Sequence, residues 1–192
     1  GGDVISGQQV TVEVGFKATE QASNFTPLVS YSAGRNNGNE FTIGAQNGTI
    51  QVMIAGVAVV TTILASGLFD GQEHMISATW DGASGDLKVY VDGVQGFAAN
   101  NVATGQSLNS GGTLVFGQEQ DSDGGGFDQD QVFSGTLTQA RIFDEVRDPV
   151  EIAQNAGEPL PDDTDHVTAD YHFGSYNAGN QTVEDVSGNG NH

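Results

Sequence analysis

Val10, Val12, Val14 and Phe16 alternate with Thr11, Glu13 and Gly15. A strand over this stretch shows one apolar and one polar face, the pattern of a half-buried β-strand. The same period of two recurs in Leu28–Ala33, Glu40–Ala45, Thr49–Ala55, Val57–Ala65, His74–Trp80 and Asp86–Asp92. Two further β-like segments are Gly112–Gly117 and Gln131–Phe143. Asn47-Gly48, Asp70-Gly71, Asp81-Gly82 and Asp92-Gly93 separate these runs. Such dipeptides accept the positive φ that tight hairpin turns demand. Short strands at this spacing predict an all-β, antiparallel two-sheet sandwich. One short helix is predicted over Asp148–Asn155, with Asp148 as N-cap and Pro149 in the first turn. Trp80, Val89, Val91, Phe116, Phe133, Ile142 and Phe143 are assigned to the core.

Between two of the β-like segments lies Gly117-Gln-Glu-Gln-Asp-Ser-Asp-Gly-Gly-Gly-Phe-Asp-Gln-Asp-Gln131. Glu119, Asp121, Asp123, Asp128 and Asp130 surround a triple glycine, and Gln120 and Gln131 add neutral oxygens. A hard cation such as Ca2+ takes about six to eight oxygen ligands from carboxylates, amides and carbonyls. Glycines let the chain turn sharply enough for carboxylates on both sides to converge. The stretch reads as a metal loop carried on a sheet scaffold, the bland alternative being a solvated acidic loop.

The run Leu114-Val-Phe-Gly-Gln-Glu-Gln-Asp-Ser122, followed by glycines, Phe127, an acid, Gln131 and Ser134-Gly135, resembles the calcium loop of pentraxins. The stretch from His74 to Gly93, around Trp80-Asp-Gly, resembles the core strand pair of laminin-G-like, concanavalin A-like jellyrolls. The likeness runs from about Val10 to about Asn155. It implies a jellyroll sandwich in which Glu119 and Asp121 bridge two Ca2+ ions. Gln120 would give its backbone carbonyl, Asp128 an acid, and Gln131 would complete the outer ion. The family's Asp-Asn pair aligns with Arg35-Asn-Asn-Gly-Asn39. Asn39 matches, but Gly38 or Asn37 stands where the Asp belongs, so the inner site lacks one carboxylate. Asn36, Asn37 and Asp123 are placed on the same rim as ligand-binding candidates. Gly44 and Asn47-Gly48 replace the residues that hold choline in pentraxins, so a phosphocholine pocket is not implied.

A chain of 192 residues suits one domain. Its 25 acidic and 5 basic residues give a net charge of −20. That field repels nucleic acid and anionic membrane surfaces, so neither is an expected partner. The sequence has no Cys, which excludes disulfides and Cys-based zinc sites. No apolar run reaches the roughly 18 residues of a membrane span. The chain opens without a signal peptide and looks excised from something larger. Residues 1–158 are expected to form the jellyroll and 159–168 a linker. Residues 169–192, with Ala169-Asp-Tyr-His-Phe-Gly174 and Val183-Glu-Asp-Val-Ser-Gly-Asn-Gly-Asn-His192, resemble the opening of a laminin-G-like jellyroll. They either complete this domain or begin a following repeat. Asp185 and Asn189 are candidates for a second calcium position, or form a plain Asx/Gly turn.

No catalytic constellation is present: His74, His166, His172 and His192 are dispersed, and no Gly-x-Ser-x-Gly occurs. Glu119, Asp121 and Asp123 alternate as a glucanase acid motif would. Retaining glycosidases need two carboxyls held about 5–5.5 Å apart, and Gly124–Gly126 ends any strand at once. The chain is therefore expected not to be an enzyme. The expected function is calcium-dependent binding of a cell-surface or extracellular glycan, or of a peptide or protein. The setting is a secreted or surface adhesin of bacterial type, with neighbouring domains in a larger chain. The alternatives are a calcium-rigidified spacer and, less favoured, a polysaccharide hydrolase or lyase.

Overall fold

The structure is a computed structural model that describes residues 4–34, 39–176, 178–179 and 182–191. Among the described residues eleven strands run in chain order: β1 (Gln9–Lys17), β2 (Phe25–Ser32), β3 (Phe41–Gln46), β4 (Thr49–Ile54), β5 (Val57–Leu64) and β6 (Glu73–Asp81), then β7 (Asp86–Val91), β8 (Val94–Ala99), β9 (Thr113–Phe116), β10 (Thr136–Phe143) and β11 (Val167–His172). Helix α1 (Pro149–Asn155) joins β10 to β11. The strands form two antiparallel sheets, ordered β11-β10-β1-β6-β7-β8 and β5-β4-β3-β2-β9. This is the two-sheet jellyroll sandwich with one short helix that the periodicity and the resemblance predict.

Turn chemistry explains the hairpins. Asn47-Gly48 has φ of 52° and 80°, and Asp92-Gly93 has 49° and 80°. Both are consecutive positive-φ pairs, whose twist matches the flanking strands. Ala55-Gly56 does the same, at 49° and 79°, without an Asn or Asp to favour it. Asp92-Gly93 leads into β8, a strand the sequence pattern does not reveal. Its Val-Gln-Gly-Phe-Ala-Ala run lacks clean alternation, and its residues are exposed or half-buried. Helix α1 begins as predicted. Asp148 accepts from the N–H groups of Val150 and Glu151, and Glu151 accepts from the Asp148 N–H, a complete capping box.

The inner faces meet in one core. Val12, Val14 and Phe16 of β1 face it with Ile76, Ala78 and Trp80 of β6 and Ile50, Val52 and Ile54 of β4, all wholly buried. Trp80 donates its indole N–H to the Val102 carbonyl at 2.9 Å, which satisfies its polar atom inside the core.

The half-buried reading of β1 needs correction. Thr11 and Glu13 on its outer face are also buried, because the chain on either side of α1 lies across that face. Thr11 Oγ1 donates to the Glu145 carbonyl and accepts from the Arg147 N–H. Arg141 of β10, wholly buried, reaches Glu13 at 3.4 Å and Asp170 of β11 at 3.8 Å. It also donates to the carbonyls of Asn155 and Glu158. Burial pushes the Glu13 carboxyl up, while Arg141 and the Ser77 hydroxyl pull it down.

β11 pairs antiparallel with β10, with Ile142 opposite Ala169 and Ala140 opposite Tyr171. It starts at Val167, inside the stretch read as linker. Beyond it, Val186 N–H donates to the Asp170 carbonyl and Tyr171 bridges to Asp185. Phe116 of β9 meets the rings of Tyr171 and Phe173 edge-on, at 5.6 and 5.1 Å between centroids. Phe116 and Tyr171 therefore join the two sheets at one rim.

Two outcomes are expected. The chain ended at Leu160 should lose several kcal/mol, at about 25 cal/mol per Å² of apolar surface uncovered, and expose the β10 edge. An unchanged urea midpoint would place the tail outside the folding unit. Arg141→Met should cost about 3–5 kcal/mol, because it leaves buried carboxylates without their cation. Adding Glu13→Gln should return part of that loss, read as a shift of the urea midpoint at constant slope.

Candidate functional site

β9 lies at the edge of the five-stranded sheet and β10 inside the other, so the acidic stretch between them crosses from sheet to sheet. Its two ends are tied together. Gly117 N–H donates to the Leu28 carbonyl at 3.0 Å, and Phe133 N–H donates to the Gly117 carbonyl at 2.9 Å. Gln118 pairs with Val132, and its side chain donates to the Asp128 carbonyl at 2.8 Å. Inside the loop, Ser122 and Gly125 exchange backbone hydrogen bonds. Gly126 has φ of 75°, and a Cβ there would lie 2.7 Å from the Asp121 Cβ. Only glycine lets the returning chain pass so close to Asp121.

The buried Gln120 amide staples the loop to the scaffold. Its Nε2 donates to the carbonyls of Ser30 at 3.1 Å and Thr113 at 2.7 Å, and its Oε1 accepts from Gly124 N–H at 2.9 Å. The side chain is thus fully used, which leaves the backbone carbonyl as the atom of Gln120 free to act as a ligand. The sequence treats Gln120 as a donor by resemblance; its stapling role carries no signal short of the fold.

Glu119 is 5% exposed, and neither carboxylate oxygen has a hydrogen-bond partner. Gln131 Oε1 is likewise buried without a partner. Burial pushes the Glu119 carboxyl up. The Asn39 side chain opposes this without reaching hydrogen-bond geometry, and Asp121 and Asp128 add to the upward shift. Asn39 is itself held by Thr42, whose hydroxyl donates to Asn39 Oδ1 at 3.3 Å. Asn39, Glu119, Asp121 and Gln131 line one cleft of about 190 Å³ on the outer side of the five-stranded sheet.

Four of the six primary candidates therefore share a cleft wall. Asp128 is exposed, near enough to act on Glu119, with its Oδ1 accepting from Asp130 N–H at 2.9 Å. Asp123 is exposed and does not line the cleft. Asn36 and Asn37 lie outside the described residues. Among the described residues no three His, Cys, Asp or Glu side chains gather closely enough to hold a metal by themselves. The donor set here mixes two cleft carboxylates with amide oxygens and a carbonyl. A buried carboxylate without partners costs several kcal/mol unless a charge meets it. The orphaned oxygens of Glu119 and Gln131 fit a hard, oxygen-seeking cation.

Asp185 and Asn189 are arranged differently. Asp185 is buried and accepts from the N–H groups of Asp170, Ser187 and Asn191. Burial raises its pKa, and these bonds outweigh that to leave the carboxyl below the usual range. Asn189 donates to the carbonyls of Val167 and Thr168. These bonds hold the tail turn against β11, as an Asx turn does.

The model of the Pentaxin family matches residues 7–160. The chain belongs to this family. It is 30% identical over 143 residues to rat "Sushi, von Willebrand factor type A, EGF and pentraxin domain-containing protein 1", covering 74% of this chain and 4% of that protein. It is 29% identical over 140 residues to "C-reactive protein 1.4" of Limulus polyphemus, covering 72% of this chain and 57% of that one. The crystal structure of the heptameric SAP-like pentraxin from Limulus polyphemus superposes with a TM-score of 0.68 and 26% identity, covering 81% of this chain and 72% of that one. The chain thus spans a small part of the rat protein and just over half of the horseshoe-crab one. Pentraxins are ligand-binding proteins without enzymatic activity, so the hydrolase and lyase alternatives fall away. Among the described residues no helix is long and apolar enough to cross a membrane.

The cleft also has walls that the period of two does not announce as part of a site: Phe25, Thr42, Gln46, Gln51 and Met53. The outward positions of β3 and β4 were readable from the period of two. That they face the acidic loop depends on sheet order, which periodicity does not give.

Glu119→Gln tests the orphaned carboxylate directly. In chelator the variant should be about 1–2 kcal/mol more stable than the parent, since it removes a charge buried without partners. A destabilised variant in chelator would mean that the carboxylate is already satisfied.

Proposed function

We propose that this pentraxin domain is a calcium-dependent recognition module that binds extracellular carbohydrate at the cleft beside the loop from Gly117 to Phe133. The observation that carries the reading is Glu119: 5% exposed, both oxygens without partners, next to the equally unpartnered Gln131 Oε1. Such an arrangement is costly by itself and becomes favourable around a cation. Asn39, Glu119, Asp121 and Gln131 would hold the ion from the cleft wall. Asp128 and the Gln120 carbonyl would complete its shell from the loop. Bound calcium would supply a Lewis-acidic point that accepts vicinal hydroxyl or carboxylate oxygens in place of water.

The chain's own residues do the rest. The Gln120 staple and the tie between Gly117 and Phe133 hold the loop in one conformation, so little ordering is left to occur on binding. The net charge of −20 concentrates divalent cations and keeps anionic surfaces away. Calcium sites of extracellular modules have Kd of about 10⁻⁴–10⁻³ M, which suits a site short of one carboxylate. An extracellular or surface location, within a larger adhesin-like chain, accords with this. Single sites of that strength gain by repetition, through avidity.

Calcium at about a hundredfold excess over Kd should stabilise the domain by about 2.7 kcal/mol. Asp121→Ala should lose most of that gain. Binding to a printed glycan array should require calcium, reverse in chelator, and fail in Asp128→Ala with the fold intact. A melting curve indifferent to chelator would sink the metal reading. Stabilisation by calcium without any calcium-dependent glycan signal would favour the rigidified spacer instead.

A further inference from the structure

We infer that β5 is an interaction edge that pairs antiparallel with β5 of a second copy of this chain, joining two five-stranded sheets across a two-fold axis. The chain's charges are unevenly placed. Residues 41–69 and 93–118 contain no Asp, Glu, Lys, Arg or His. All 25 acidic and 5 basic residues lie outside these two runs. The first run spans β3, β4, β5 and the turns between them, and the second spans β8 and β9.

β5 closes one end of its sheet. It pairs with β4, and among the described residues no strand pairs with its other side. One row of its backbone N–H and C=O groups therefore faces outward. Edges of this kind are normally guarded by Lys, Pro, a bulge or a covering segment. β5 reads Val57-Ala-Val-Val-Thr-Thr-Ile-Leu64, with neither Lys nor Pro. Its bulge lies in the second half, between the pairs Val60–Gln51 and Leu64–Thr49. There Ile63 packs toward β8, and a Cβ on Gly96 would lie 3.1 Å from its side chain. Val57–Val60 stays regular, each residue opposite one of β4.

Both faces of that regular stretch are apolar at the rim. Val57 lies opposite the buried Ile54, on the core side, yet it is 42% exposed. Val60 lies opposite Gln51, on the outer side, and is 59% exposed. A strand laid along the edge would cover both valines and satisfy the outward backbone row at the same time.

Charge decides what lies there. Each copy carries −20, so close approach of two copies is opposed over most of the surface. The uncharged edge is where that repulsion is weakest, and a two-fold axis sets the edge against itself. A cationic partner would be drawn to the acidic faces instead, and an anionic one would find no cation on β5. The neutral, apolar strand edge present in every solution of this protein is that of another copy. Opposite residues of an antiparallel pair share a face, so an axis through Ala58 puts Val57 against Val59 of the second copy. Pairing would also bring two clefts together, a point that alone rests on the function proposed above. Ala58 lines the cleft with Glu119 and Asp121. An axis normal to the joined sheet leaves both clefts on one outer face, where two weak sites would engage one surface together.

The test is run in chelator, so that it does not depend on calcium. Self-association of the full chain is followed by sedimentation velocity over a concentration series into the millimolar range, at low and high NaCl. The parent should form dimers, and more of them at high salt, because salt screens the −20 charges. The amides of Val57–Val60 should exchange hydrogen more slowly as the dimer fills. Val57→Lys and Val60→Lys should each weaken the dimer roughly tenfold or more, with unchanged urea midpoints. Each brings the net charge nearer zero, so association through any other face would tighten or stay as it was. Val186→Lys, at an exposed valine of the tail, is the control for that effect and should not weaken the dimer. Where a lysine lowers the urea midpoint, the exchange of the parent's own amides decides. A parent that stays monomeric at high salt overturns the proposal. So does a dimer that survives both lysines, or a ring of more copies in which the Val57–Val60 amides exchange as in the monomer.

Discussion

β1 is enclosed on every side. It pairs along its full length with β6 and over most of it with β10. Its inner face enters the core and its outer face lies under the chain around α1. A strand so placed cannot slip by one residue, since a slip would exchange Val12 and Val14 for Glu13 and Gly15 in the core. That fixes β10, and β10 receives the end of the acidic loop. The other end leaves β9, which is locked to β2 by four cross-strand pairs from Val29 opposite Phe116 to Ser32 opposite Thr113. The loop's two ends are thus placed by strands paired into different sheets.

That arrangement explains how the fold bears an unpaired buried carboxylate. The Glu119 side chain is costly where it sits, and the local chain has no means of relaxing it. Gln120, its neighbour, is committed to Ser30, Thr113 and Gly124. Glu119 therefore points the other way, into the cleft with Asn39 and Gln131. Core burial supplies stability that the site spends, and sites of recognition are where such costs concentrate.

The strands with clean alternation and Asn-Gly or Asp-Gly turns were legible from the sequence: β1, β3, β4, β6 and β7 all lie within two residues of their predicted bounds. So was α1, because its capping box is a local signal. β8 was missed, since it is an edge strand whose residues pack little. β10 begins at Thr136 and not at Gln131, because residues 131–135 are still tied to Gly117 as part of the loop. The buried outer face of β1 was not legible either. Thr11 and Glu13 look like solvent-facing residues until Arg141 and the chain about α1 cover them. Within the site, the acids, amides and glycines announced an oxygen-rich loop. Phe25 gave no such signal: it precedes the strand that periodicity predicts, and its place above Gly44 depends on β2 and β3 being neighbours.

The two buried charge systems also divide the molecule's labour. On the outer face of the six-stranded sheet, Glu13 and Asp170 meet Arg141, so their charges are answered within the chain and tie β1, β10 and β11 together. On the outer face of the other sheet, Glu119 and Asp121 meet no Lys or Arg among the described residues that line their cleft. With 5 basic residues against 25 acidic ones, the chain can neutralise few carboxylates internally. It places its wholly buried arginine where strand order depends on it, and under the proposed function the loop would be completed from outside. A cation from solution is the cheapest completion, because it meets several oxygens at once without ordering another long side chain. If the proposed calcium site holds, the loop's charge balance would follow the cation content of its surroundings.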